Sequence, residues 1–306
     1  MSDPHAKRDI LEKLADGAAE RRYSALKELT ERDVVVQLRD QLVDVCLCDC
    51  WGPNRSEGAR ALNLLWPDRD VREAFRVCLE AEPYVANTVV ELLAGWMDDE
   101  AIALLRTRFT TAENAKMRYS ILQAFCKAGQ GRIVEFVLGT QCYLDEDERI
   151  RALSLSLLAR SAEPLLKSLY VARLKDESQR VRATAVEALS AICSPEEILS
   201  LLPPCLEDTS NRVQANALIP LLRSGYRLAE ARLREMISHT SRLFRSSAAY
   251  VLGEMPPSSQ VALHLDQLVQ DQDPDVRNRA RASAERLALR MSLVPAADAV
   301  AGHGAA

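Results

Sequence analysis

Apolar side chains recur along this chain at helical spacing, and the helices themselves recur. The segments 149–159 (RIRALSLSLLA), 180–190 (RVRATAVEALS), 212–222 (RVQANALIPLL) and 275–285 (DVRNRARASAE) align on one polar anchor, Arg151, Arg182, Gln214 and Arg277. The same column extends to Arg22, Arg55, Val85, Arg118 and Arg245, with successive spacings of 33, 30, 33, 33, 31, 32, 31 and 32. Three residues after the anchor stand Ala25, Gly58, Thr88, Ile121, Ser154, Ala185, Ala217, Ala248 and Ala280, all small except Ile121. Seven after it stand Leu29, Leu62, Leu92, Phe125, Leu158, Leu189, Leu221, Leu252 and Ala284. With the mostly apolar offset 4, these offsets define one face of a helix. Small residues let neighbouring helices approach, and the large column fills the space between them. The last copy has Arg281 and Ala284 there, a weaker apolar face suited to a terminal unit.

A second apolar stretch precedes each anchored helix, as in 165–174, 198–206, 229–237 and 261–269. Pro83, Pro195, Pro256-Pro257 and Asp273-Pro274 punctuate the pattern. No segment alternates as a strand does. The pattern predicts about nine helix-turn-helix units over residues 1–291, a single all-α domain, with 292–306 a flexible tail.

Six residues before the anchor, six of nine units carry Asp: Asp16, Asp49, Asp145, Asp176, Asp208 and Asp271. An Asp in the turn before a helix accepts from that helix's unpaired N–H groups and favours its dipole. It also lies within reach of an anchor Arg in its own or the next unit. The residues Asp16, Arg22, Asp49, Arg55, Asp145, Arg151, Asp176, Arg182, Asp208, Asp271 and Arg277 are therefore expected to form a stapling ladder. Leu79, Ala112 and His239 replace the Asp in three units, so the ladder should break near residues 79–118.

Composition agrees with helices: 48% hydrophobic and 27% charged residues, only 5% aromatic, and 11 Gly and 13 Pro in 306 residues. This excludes collagen-like and low-complexity chains. The net charge is −5, with residues 161–306 neutral, which argues against a nucleic-acid binder because phosphate contacts need a basic surplus. No run of 18 apolar residues predicts a membrane span. Eight cysteines in apolar helical contexts and an N-terminus without a signal-type apolar run point to the reducing cytoplasm.

A helix pair with Asp in the turn, Val/Ile-Arg on the second helix, and small and Leu columns after it resembles the HEAT repeat family; Asp145…Ile150-Arg151, Asp176…Val181-Arg182 and Asp271…Val276-Arg277 carry the resemblance. The short unit looks most like compact bacterial HEAT-like repeats, including those named after phycobilisome lyases. The resemblance implies a right-handed α-α superhelix, a HEAT-like solenoid, whose second helices line a concave face. It further implies a protein-binding scaffold or adaptor rather than an enzyme. The facing columns hold Tyr23, Asn87, Tyr119, Gln123, Leu153, Asn216, Ile219, Ser247 and Tyr250, a neutral mixture suited to a protein or peptide partner. No cofactor is expected. The alternatives are a phycobilin-lyase-like enzyme and a nucleic-acid protein similar to the HEAT-like DNA glycosylases. Both need reactive or basic groove residues, and the columns supply neither.

Four further features carry candidate chemistry. Cys46 and Cys50 are four apart and can share a helix face, with Cys48 between; no CxxC partner or nearby His completes a metal site, so packed thiols are expected. Trp66 and Trp96 occupy equivalent positions 11 after their anchors, either as an exposed rim patch or as packing between units. The acidic runs 98–100 and 145–148 fall at helix starts, where capping explains them. Arg277, Arg279, Arg281, Arg286 and Arg290 make the one basic concentration.

Overall fold

The computed structural model describes residues 4–127 and 129–293; most of the expected C-terminal tail lies outside the described residues. Nine helix pairs follow one another, and no strand occurs among the described residues. The chain divides into two compact units, Met1–Leu157 and Leu158–Ala306.

In the first unit, repeat 1 pairs Pro4–Leu14 with Ala19–Lys27. Repeat 2 has a first helix broken at Leu38 (Arg32–Gln37 and Arg39–Cys48), then Gly52–Leu62. Repeats 3 and 4 pair Arg69–Cys78 with Pro83–Trp96 and Asp99–Thr111 with Ala115–Ala124. Repeat 5 pairs Gln130–Thr140 with Glu148–Ala159, the helix in which the division falls. In the second unit, Lys167–Arg173 pairs with Gln179–Ile192 and Pro195–Leu201 with Asn211–Arg223. Arg227–Ile237 then pairs with Arg242–Glu254, and Ser259–Val269 with Pro274–Leu293.

The helix starts follow local chemistry. Ser178 Oγ accepts from the Arg180 N–H, and Asp98 accepts from the Ala101 N–H at 2.8 Å. Ser194 and Glu197 form a reciprocal capping box, with Pro195 at the first helical position. Pro83 sits at the same kind of position in repeat 3.

The repeat columns form the core. Every residue three after an anchor is buried, from Ala25 to Ala280. At offset 7, Leu29, Leu62, Phe125, Leu158, Leu189, Leu221 and Leu252 are buried. Repeat 3 departs: Leu92 is partly exposed and Leu93 takes its place in the core. In the last repeat Arg281 is exposed and Ala284 partly so. Each fully buried Leu contributes on the order of 1.5–3 kcal/mol.

Small residues set two close approaches. A Cβ on Gly58 would lie 3.3 Å from the Cys46 Cα and N, so the two helices of repeat 2 meet backbone to backbone. A Cβ on Gly253 would lie 2.7 Å from Ser283 Oγ in the last helix.

Candidate functional site

The anchor arginine has two roles, and together they fix the orientation of each second helix. One guanidinium nitrogen donates to backbone carbonyls of its own turn. Arg182 Nη1 reaches Asp176 O and Glu177 O at 2.9 and 3.0 Å, and Arg22, Arg118, Arg151, Arg245 and Arg277 repeat the pattern. The other edge makes a bidentate ion pair with the next repeat's Asp. Arg22 pairs with Asp49 (2.7 and 3.0 Å), Arg118 with Asp145 (2.8 and 3.0 Å), Arg182 with Asp208 (2.7 and 2.9 Å) and Arg245 with Asp271 (2.6 and 2.9 Å). A planar fork suits this double task, and an ammonium would not. Each Asp also accepts from the N–H two residues on, as Asp208 does from Ser210 and Asp16 from Ala18.

Electrostatics follow the geometry. Arg245, then the Asp273 N–H, holds Asp271 below its ordinary value against the opposing push of burial. At Asp49 and Asp208 burial is the largest influence and pushes upward. Arg22 with the Trp51 N–H, and Arg182 with the Ser210 N–H, still leave both carboxyls lowered.

The ladder is modified where the sequence departs from it. Arg55 donates to Asp49 O and, with no Asp at position 79, pairs with Glu82. Val85 is fully buried and carries no charge. Gln214 keeps the inward role by donating to Asp208 O, while its Oε1 accepts from Arg232 Nε at 3.0 Å. The Gln214–Arg232 bond comes from a first helix, outside the columns on which the sequence pattern rests.

In the second unit, three of the nine partner-facing candidates converge. Asn216, Ser247 and Tyr250 line one recess of about 340 Å³ together with Glu187, Asn211 and Arg279. Every lining residue comes from a second helix, and four consecutive second helices contribute. Internal hydrogen bonds fix its walls. Asn216 Nδ2 donates to Glu187 Oε1 (2.6 Å) and Ala183 O (3.2 Å), and Asn211 Nδ2 donates to Ser247 Oγ (2.7 Å). Arg212 stands 3.5 Å from Glu187. Asn211 and Arg212 escaped the sequence pattern because they precede the anchor by three and two positions, at the first turn of the helix. Ile219 is partly exposed and does not line the recess.

The first-unit candidates make separate local contacts. Tyr23 packs edge-on against Trp51 at 5.6 Å and lies under Lys27. Asn87 Oδ1 accepts from Ser120 Oγ at 2.9 Å. Tyr119 lies under Arg149, whose ion pair is the first cause holding Asp147 down at about 2. Gln123 is exposed and Leu153 partly so.

The two tryptophans do not form a shared rim. The helix Gly52–Leu62 gives way to a 3-10 turn, Asn63–Leu65, which carries Trp66 inward; it is 5% exposed, stacks on Phe75 and donates to Asp98 Oδ2 at 2.7 Å. The equivalent helix of repeat 3 runs unbroken to Trp96, which is 46% exposed and donates to Asn63 Oδ1. Asp98 thus caps its helix and anchors Trp66. The cysteine triplet also separates: Cys46 is buried, its helix ends at Cys48, and Cys50 lies exposed in the turn, so Cys46 and Cys50 do not share a helix face. Among the described residues no group of three or more His, Cys, Asp or Glu is placed to hold a metal. Within the basic C-terminal helix, Arg277 and Arg290 are spent on backbone carbonyls and Arg286 stands 3.9 Å from Glu254. Among the described residues no helix is long and apolar enough to cross a membrane.

A sequence profile described as HEAT repeats matches residues 140–219 and 199–285. No curated protein matches the chain. Among solved structures, YibA of Escherichia coli aligns with a TM-score of 0.51 and 18% identity over 89% of this chain and 98% of its own. Kap121p bound to Pho4p aligns with a TM-score of 0.62 and 15% identity over 94% of this chain, and yeast importin-beta (Kap95p) with 0.50 and 12% over 92%. This chain spans only 38% of the length of Kap121p and 44% of that of Kap95p. At such identities the likeness concerns the fold. The profile places residues 140–285 among the HEAT repeats, and the helix pairs that precede them carry the same columns.

Proposed function

We propose that this chain is a non-catalytic, cytoplasmic scaffold that holds a protein or peptide segment on the face formed by its second helices. The observation that supports this is the recess at Asn216, Ser247 and Tyr250, lined by second helices alone. Its walls are immobilised by hydrogen bonds internal to the protein, while Tyr250 and Arg279 remain without an ion pair or hydrogen bond among the described residues. A preformed recess with one aromatic and one guanidinium available matches the residue types that dominate protein interfaces. That Kap121p is seen with Pho4p agrees with this use of the fold. Function is carried by the site rather than by the fold.

The test is affinity capture with the wild-type chain, with Tyr250→Glu and with Ser246→Arg, at another residue that lines the recess, read by mass spectrometry. Specific protein partners are expected to fall at least tenfold in both variants while the thermal melt is unchanged. Partners retained at full yield would sink the proposal, as would binding only to duplex DNA with a steep salt dependence.

A further inference from the structure

Cys46 and Cys78 lie near the ends of the first helices of repeats 2 and 3, 32 residues apart. Their sulfurs lie 3.3 Å from each other, and both residues are buried. This is closer than ordinary van der Waals contact between sulfurs; a disulfide would bring them to about 2.05 Å. We propose that Cys46 and Cys78 are an oxidative modification site, converted by a small peroxide into a disulfide that ties repeat 2 to repeat 3.

The two thiols are not equivalent. Cys78 Sγ donates to Cys46 O at 3.5 Å, which leaves the Cys46 S–H to point at Cys78 Sγ. That hydrogen bond first, and the Arg55 charge after it, favour the Cys78 thiolate and lower its pKa against burial. The same contact and burial hold Cys46 protonated. With Cys78 as the attacking sulfur Cys46 resolves, and the reverse order gives the same disulfide.

In the first step the Cys78 thiolate attacks one peroxide oxygen. An S–O bond forms, the O–O bond breaks, and the departing hydroxide takes up a proton as water. In the second, Cys46 sulfur attacks the sulfenic sulfur of Cys78. The S–S bond forms, the S–O bond breaks, and the leaving hydroxide takes the Cys46 proton. Two thiols and one peroxide give one disulfide and two waters, with the sulfurs oxidised by two electrons in all. Burial excludes bulky disulfide oxidants, which instead meet the exposed Cys48, Cys50 and Cys126.

The intact chain, treated with equimolar hydrogen peroxide and then alkylated under denaturing conditions, is digested without reductant for mass spectrometry. A linked Cys46–Cys78 peptide is expected, together with a higher urea midpoint than that of the reduced chain. The link should persist in the triple variant Cys48→Ser, Cys50→Ser, Cys126→Ser. In Cys46→Ala, dimedone should label Cys78. Recovery of both Cys46 and Cys78 as alkylated thiols while the exposed cysteines are oxidised overturns the proposal. So does a link that vanishes in the triple variant.

Discussion

The boundary between repeats 8 and 9 and that between repeats 3 and 4 stack the same kind of helix by different means. At the first, Arg245 clamps Asp271, and both side chains are at most 9% exposed. At the second, the corresponding columns hold Val85 and Ala112, both buried and neither charged. A hydrogen bond from Ser120 to Asn87 contributes there. Both boundaries keep the buried column three after the anchor, with Thr88 and Ile121 at one and Ala248 and Ala280 at the other. The second helices of repeats 3 and 4 thus stack without the anchor clamp, while Arg72–Glu100 and Arg108–Glu80 pair the first-helix side of that boundary; the bidentate clamp adds register, because a planar fork tolerates little sliding.

The largest effects should come from the apolar columns. Leu93→Ala is expected to cost about 2–5 kcal/mol and Leu92→Ala less than about 1 kcal/mol in urea denaturation, because only Leu93 leaves a cavity. Equal losses would show that repeat 3 keeps the regular column in solution.

Next comes the clamp. Arg245→Met should cost about 2–3 kcal/mol, since it leaves Asp271 buried without its partner and the His239 and Thr240 carbonyls without a donor. Adding Asp271→Asn removes the stranded charge, so the double variant should lose less than the sum of the single ones. Strict additivity would show that the two side chains do not act as a pair.

Acid offers a milder break. Folded Asp271, Asp208 and Asp49 have lowered pKa values, so the unfolded chain takes up their protons first as pH falls. Their stabilisation is full above the unfolded value of about 3.9 and is lost as pH drops through the lower folded values. The urea midpoint should decline below pH about 4, and Asp271→Asn should flatten part of that decline. A variant curve that parallels the wild type would remove Asp271 from the account.

The smallest effect concerns the residue closing the second helix. Gly225 takes φ 76° eleven residues after its anchor in repeat 7, Ala162 holds φ 50° at the same offset, and Met97 holds φ 48° one position later in repeat 3. Relief of left-handed strain is partly offset by the freer unfolded chain, so Ala162→Gly should gain roughly 0.5 kcal/mol, measured by thermal melting.

The helix pairs and their phase were legible because burial imposes a period that single residues cannot hide. The direction of the ladder was less so: an Asp six positions before an Arg fits pairing within a unit or across units equally well, and only the folded turn shows that the Arg spends one edge on its own carbonyls. Trp66 and Trp96 share a column but not an environment, because the switch to a 3-10 turn after Leu62 has no strong sequence signal. Asn216 looked available to a partner, yet Glu187 and a backbone carbonyl occupy its amide. Side-chain pairing of this kind depends on distances between helices, which periodicity does not encode.

The two-edged guanidinium makes every regular turn both plug and socket. Any module that begins with the turn Asp and carries the Arg six residues later presents matching ends, whatever decorates its outer surface. Chain growth by copying or dropping a whole module of this kind leaves the joints compatible, so length is free to change while the joint chemistry stays constant.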